Sequence, residues 1–275
     1  MGTVAKALSL LTYFSRARPL IGLSDMARLS GLNKATTHRL LSELESAGFV
    51  EQVAAGREYR LGAVYLRLAA LREQAVPMRD LAAGVLADLS VETCETAHFS
   101  ILQGDLLVAT AHAYSPVHGT RVTMDDAQYL TLHATSSGLA VLAYAQAGLV
   151  DAVLAAPLEA RTPETITDPV QIRAVLADIR VHGVAESISG FEQDVHSHAA
   201  PIFDAHGAPL GAMAVAAPVA RMTPDLRATI RARVHAAALR LTRALGGFPP
   251  PGYPTPKFTD TPADTPLPQH EETTP

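Results

Sequence analysis

Within residues 34–42 stand Lys34, Ala35, Thr36, His38, Arg39 and Ser42, a set of side chains with a definite chemistry. Lysine and arginine neutralise phosphates, and arginine also reaches the acceptor edge of guanine. Threonine and serine bond a phosphate oxygen or a base edge, and alanine leaves room for a thymine methyl. His38, at the border of the set, suits a phosphate. Between these residues Thr37, Leu40, Leu41 and Leu44 recur at helical spacing, so one helix buries them and turns the polar set outward. Arg57, in the run Arg57-Glu-Tyr-Arg-Leu61, would add a phosphate contact from a neighbouring hairpin. These residue types suit the major groove of a duplex. A helix standing alone would be read more plainly as amphipathic with a solvated face, so the surrounding elements decide.

Those elements are present. Leu23–Ser30 reads as a short helix and Gly31 as a turn residue tolerant of positive φ. Asn33 can cap the helix that follows through its side-chain oxygen. Phe49-Val-Glu-Gln52 and residues 57–61 read as a hairpin in which Val50, Tyr59 and Leu61 face the core while Arg57 and Arg60 face outward. Val4, Ala7, Leu8, Leu10, Leu11 and Phe14 predict a first helix packed beneath the other two. The order is that of a winged helix-turn-helix over residues 1–62. A linking helix over 63–76 with apolar Leu66, Ala69 and Ala70 ends at Pro77.

Residues 77–247 alternate helical and strand patterns. Helices are expected at Met78–Leu89, Ser136–Ala147, Pro169–His182 (capped by Asp168) and Pro224–Leu245. Strands are expected at Thr96–Leu102, Leu106–Ala113, Ala199–Phe203 and Leu210–Ala217. Hairpin turns at Gln103-Gly-Asp105 and Asp204–Gly207 imply an antiparallel sheet with flanking helices, an α+β arrangement. Residues 248–275, rich in Pro, Thr, Asp and Glu, have almost nothing to bury and are expected to be disordered.

Composition narrows the function. Residues 1–75 hold ten Lys/Arg against six Asp/Glu, and the remainder twelve against twenty-one, a basic head on an acidic body within a net charge of −5. No apolar run approaches the roughly 20 residues of a membrane span. The start lacks the features of a signal peptide, so a cytoplasmic protein is expected. A single cysteine, Cys94, excludes an internal disulfide and a cysteine-based zinc cluster, and it is expected to be buried as a small apolar residue. There is no Gly-x-Ser-x-Gly elbow or glycine-rich phosphate loop, so an enzyme is not expected.

The chain resembles the IclR family of bacterial transcription regulators over about residues 3–245. The resemblance rests on Ala7–Leu11, Gly31–Leu41, Leu44–Val50 and Tyr59–Gly62 in the head. In the body it rests on Leu130–Thr135, Thr165–Asp168, Gly190–Glu192, Ala199–Pro201 and Met222-Thr223. It implies an N-terminal winged helix, a linker helix and a C-terminal GAF-like effector domain. It also implies a homodimer or homotetramer on a palindromic double-stranded operator, and a metabolite that alters binding, often to repress a catabolic operon. Asn33 and Ala35 replace the usual proline and serine, and Leu139 follows Gly138 where a lysine is common.

By the same resemblance the effector is expected between His133, Thr135, Ser136 and Ser137 on one side and Ser187, Ser197 and His198 on the other. Ser136 and Ser137 begin a helix, and its free N–H groups favour an anion, so a small organic acid is the expected ligand. His196-Ser-His198 also admits a metal such as zinc, with Glu192 and further imidazoles from His98, His112, His118 or His133. The alternative to a regulator is a small-molecule sensor or metal-binding interaction module without an operator.

Overall fold

The computed structural model describes residues 2–15, 18–53, 57–75, 77–125 and 128–254, with the side chains of all of these except 69 and 72–75. The chain divides into two compact units, Met1–Pro77 and Met78–Pro275.

The first unit contains α1 (Thr3–Leu11), β1 (Ile21–Gly22), α2 (Leu23–Ser30), α3 (Lys34–Ser46), β2 (Val50–Val53), β3 (Glu58–Leu61) and α4 (Val64–Ala75). Leu10, Ile21, Met26, Leu40, Leu41, Leu44, Val50 and Tyr59 form its core. The hairpin gains a third strand that periodicity does not reveal, because β1 is too short to show alternation: Ile21 pairs with Tyr59. Leu61 does not close the core as expected. It is 45% exposed, although it pairs with the buried Val50. Along α4, Leu66, Leu68 and Leu71 are exposed, as are Val4 and Leu8 on α1.

The second unit is built from α5 (Met78–Thr93), β4 (Thr96–Gln103), β5 (Leu106–Ala113), β6 (Tyr129–Leu130), α6 (Ser136–Tyr144), α7 (Ala147–Ala155), α8 (Pro169–His182), β7 (Ala185–Ile188), β8 (Val195–Phe203), β9 (Pro209–Pro218), a 3-10 turn at Val219–Arg221, and α9 (Pro224–Ala244). Among the described residues six strands form one antiparallel sheet in the order β6-β5-β4-β9-β8-β7. Helices cover both faces. α5 and α9 pack on Ala97, Phe99, Ala200, Ile202, Met213 and Val215. α6 and α8 pack on Ala185, Ala199, Ala212 and Ala214. The alanines on the second face let α6 approach closely. A Cβ at Gly138 would lie 2.4 Å from Leu132 Cα, so the first turn of α6 accepts no side chain there. Strand residues of both parities are therefore buried, and β8 shows no polar–apolar alternation that a reader of the sequence could use.

Two expectations change here. The C-terminal tail does not begin at 248: Tyr253 is buried, its ring 5.0–5.2 Å from those of Phe203, Tyr144 and His235, and its hydroxyl donates to Gly183 O at 3.1 Å. One aromatic side chain with a bonded hydroxyl is enough to dock the segment. The expected disorder of 255–275 lies outside the described residues. Cys94 is not a core residue. It sits half-buried just past α5 at φ 58°, where the chain reverses into β4.

Candidate nucleic-acid interface and ligand cavity

The helix that could meet DNA is set by three local features. Gly31 ends α2 in the left-handed region at φ 68°. Asn33 Oδ1 accepts from Thr36 N at 2.8 Å, and Thr37 Oγ1 donates to Asn33 O at 3.0 Å. Thr37, Leu40, Leu41 and Leu44 are the buried residues of α3, as their spacing predicts. Lys34, Ala35, His38, Arg39 and Ser42 are exposed and Thr36 is half-buried. Among the described residues neither Lys34 nor Arg39 has an ion-pair partner. In the wing Arg57 is exposed at φ 54°, its carbonyl accepting from Gln52 Nε2 at 3.2 Å. Arg60 is already engaged: its Nε donates to Glu51 Oε2 at 2.9 Å. That bond and the Ala63 amide hold the Glu51 carboxyl below its usual range.

In the second unit Thr135, Ser136, Ser137, Ser187 and Ser197 line one cavity of about 50 Å³, together with His98, Val122, Met124, Leu130, Phe191, Glu192, Val195 and others. At roughly 10–15 Å³ per water this holds a handful of waters, the scale of a small acid. Thr135 caps α6: its Oγ1 accepts from Gly138 N at 2.9 Å and donates to Thr131 O at 2.8 Å. Its carbonyl takes the amide of Leu139, so the Ser136 and Ser137 amides are the ones left at the helix end for an anion. Ser187 Oγ donates to Ala134 O at 2.8 Å.

His98 was expected only as a source of imidazole for a metal, yet it lies in this cavity, with Nε2 3.3 Å from Ser137 Oγ and Nδ1 buried without a partner. Burial, with a smaller push from His112, lowers its pKa to about 4, so it is neutral at pH 7. The signal available in sequence was its place between Thr96 and Ser100, polar residues of one parity on a buried strand. The cavity wall is braced around it. Thr96 Oγ1 donates to Val122 O at 2.7 Å, and the Tyr114 hydroxyl bonds both backbone groups of Met124. Thr162 and Thr165 hydroxyls donate to Ser189 O and Gly190 O, fixing the loop that carries Phe191 and Glu192. Ser189 and Asp194 bound that loop at φ 53° and 62°.

Two residues expected here are elsewhere. His133 is not among the residues that line the cavity; its Nε2 is 3.0 Å from Glu159 O. His198 lies on the opposite face of the sheet, because successive β8 residues point to opposite sides and Ser197 takes the cavity side. There His198 joins His196, their rings stacked 4.9 Å apart. Their carboxylate neighbour is Glu186, not Glu192. Glu186 Oε1 lies 2.6 Å from His196 Nε2 and 3.1 Å from His198 Nε2, and Arg227 bonds Oε2. Among the described residues no further imidazole joins this group. On the same unit Arg221 grips the buried Glu95 with two bonds at 2.6 and 2.7 Å, and this ties the start of β4 to the turn before α9.

Comparison with known proteins adds to this geometry. Residues 3–54 match the IclR helix-turn-helix domain and residues 71–243 match the bacterial transcriptional regulator IclR C-terminal domain. The glycerol operon regulatory protein of Streptomyces coelicolor is 30% identical over 246 residues, covering 89% of this chain and 96% of that one. A crystal structure assigned to the IclR transcriptional regulators, from Silicibacter sp. TM1040, is 59% identical, with a TM-score of 0.87, covering 93% of this chain and 100% of that one. An IclR homologue of Microbacterium hydrocarbonoxydans complexed with 4-hydroxybenzoate shares the fold at 24% identity and a TM-score of 0.54, covering 88% of this chain and 100% of that one.

Proposed function

The chain belongs to the IclR family of transcriptional regulators, and from that premise we propose that it binds a palindromic operator as a homo-oligomer and releases or engages it when a small organic acid occupies the second unit. The observation that carries the DNA half is α3: Lys34, Arg39 and Ser42 stand exposed, the two cations without ion pairs among the described residues, while its leucines are buried. Arg57 extends the same basic surface along the wing.

Oligomerisation is supported by Val4 and Leu8 on α1 and by Leu66, Leu68 and Leu71 on α4, apolar residues that a single chain leaves in water. The acid is supported by the free amides at the start of α6, by the hydroxyl-bearing residues that line the cavity, and by the aromatic acid bound to the Microbacterium homologue. The acid must favour one spacing of the DNA-reading units over another, since equal affinity for both would shift nothing. By the nature of its target the protein acts in the cytoplasm, and repression of a catabolic operon is the sign of regulation proposed. Among the described residues no helix is long and apolar enough to cross a membrane.

The test is fluorescence anisotropy with the DNA upstream of the protein's own gene, with and without organic acids. Binding at nanomolar protein in moderate salt that survives competitor DNA is the expected result. Thermal shifts by acids with no DNA binding at all would favour a sensor module instead.

A further inference from the structure

We infer that Glu186, His196 and His198 form a site for a divalent transition metal, with zinc the best match, on the sheet face opposite the acid cavity. The inference is independent of DNA and effector binding. Three ligand atoms, two imidazole nitrogens and a carboxylate oxygen, lie within 4.8 Å of one another. Residues 196 and 198 share one face of β8, and Glu186 pairs with His198 across from β7, so backbone register alone converges the three. Two histidines and one carboxylate with an open fourth position is a recognised zinc donor set. The second oxygen of Glu186 is bonded by Arg227, which orients the carboxylate and leaves Oε1 to the histidines.

A second observation points to an absent partner. His198 is fully buried, yet neither ring nitrogen makes a hydrogen bond of proper geometry, although Nε2 lies 3.1 Å from Glu186 Oε1. A buried polar group without a partner calls for one. Arg227 and Arg231 work against a cation, and Arg227, near half exposed, is partly screened by water.

The full chain, stripped with chelator, is titrated with zinc by calorimetry and with cobalt by visible absorption. One equivalent per chain is expected, with cobalt bands of a four- or five-coordinate site and a raised melting temperature. E186Q, nearly isosteric, should cut affinity at least tenfold, and R227Q should raise it. H206A, removing an exposed histidine, should change nothing. Absence of a cobalt band in the wild type, or bands that persist in both E186Q and H196A/H198A, would overturn the site. So would an unchanged affinity in E186Q.

Discussion

At the scale of single residues, the contrast between Arg39 and Arg60 shows how structure sorts equal charges. Both are exposed arginines of the first unit, but Arg60 is held by Glu51 and Arg39 has no ion-pair partner among the described residues. Arg39→Ala is therefore expected to weaken specific operator binding by about 1–3 kcal/mol and to relax preference at one base, if Arg39 meets a base edge. Anisotropy against single-base operator variants measures both, and an unaltered profile removes Arg39 from the interface. Among the described residues that line the cavity none carries a full positive charge, since His98 is neutral, and the exposed Glu192 stands at the wall. Selection of an acid falls to amides and hydroxyls. Glu192→Gln should then tighten a bound carboxylate by up to about fivefold, the effect of one like charge near 4 Å in water. Calorimetry with 4-hydroxybenzoate as probe is the measurement, and weaker binding would place the carboxylate away from that wall.

At the scale of elements, α3 depends on its ends. Asn33 satisfies the Thr36 amide, and Gly31 takes a left-handed turn in open space. Asn33→Ala should cost about 1 kcal/mol of helix stability, and Gly31→Ala about 1–2 kcal/mol from the left-handed backbone. Hydrogen exchange of amides in 34–46 should quicken by the corresponding factor while the second unit's amides keep theirs. Equal protection in both variants would show that packing of the leucines alone holds the helix. This level was largely legible beforehand. The bounds of α8 and β5, the Asp168 cap and the buried row of α3 all follow from short-range periodicity and capping. β1 and β6 were missed because two residues carry no pattern, and β7 because its four residues, Ala185-Glu-Ser-Ile188, show no clean alternation. α7 was missed because its run of alanine and valine merges with α6.

At the scale of the whole molecule, buried histidines link stability to pH. His98 has its pKa lowered to about 4, and burial also lowers His198 and His235. Unfolded, each titrates near 6.5. Above that pH both states are neutral. For His98 the unfolded chain takes up, between about 6.5 and 4, a proton that the folded chain refuses, so stability is lost as pH falls through this window, and His198 and His235 act in the same direction. Denaturation at pH 7.5 and pH 5 should differ by a few kcal/mol in that direction, and His98→Gln should reduce the slope. A flat profile would mean these imidazoles are solvated. Assembly makes a separate prediction: with two reading helices related by symmetry, inserting half a helical turn, about 5 base pairs, between half-sites should abolish cooperative binding. Retained binding would argue for independent heads.

What the amino-acid order determined by itself is local: helix faces, caps, hairpin turns, and through them the helix-turn-helix with its exposed polar face and the family. The resemblance put Ser197 and His198 in one site, but strand alternation parts them, because residues one apart on a strand cannot share a face. Which face would meet α6 and its amides, and which would meet α9 and Arg227, was decided only when distant strands paired and both faces were covered. With both sides of the sheet buried, no polarity difference along the strand records the choice. His98 entered the cavity, and Glu186 rather than Glu192 reached the histidines, through pairings between segments that short-range pattern does not encode.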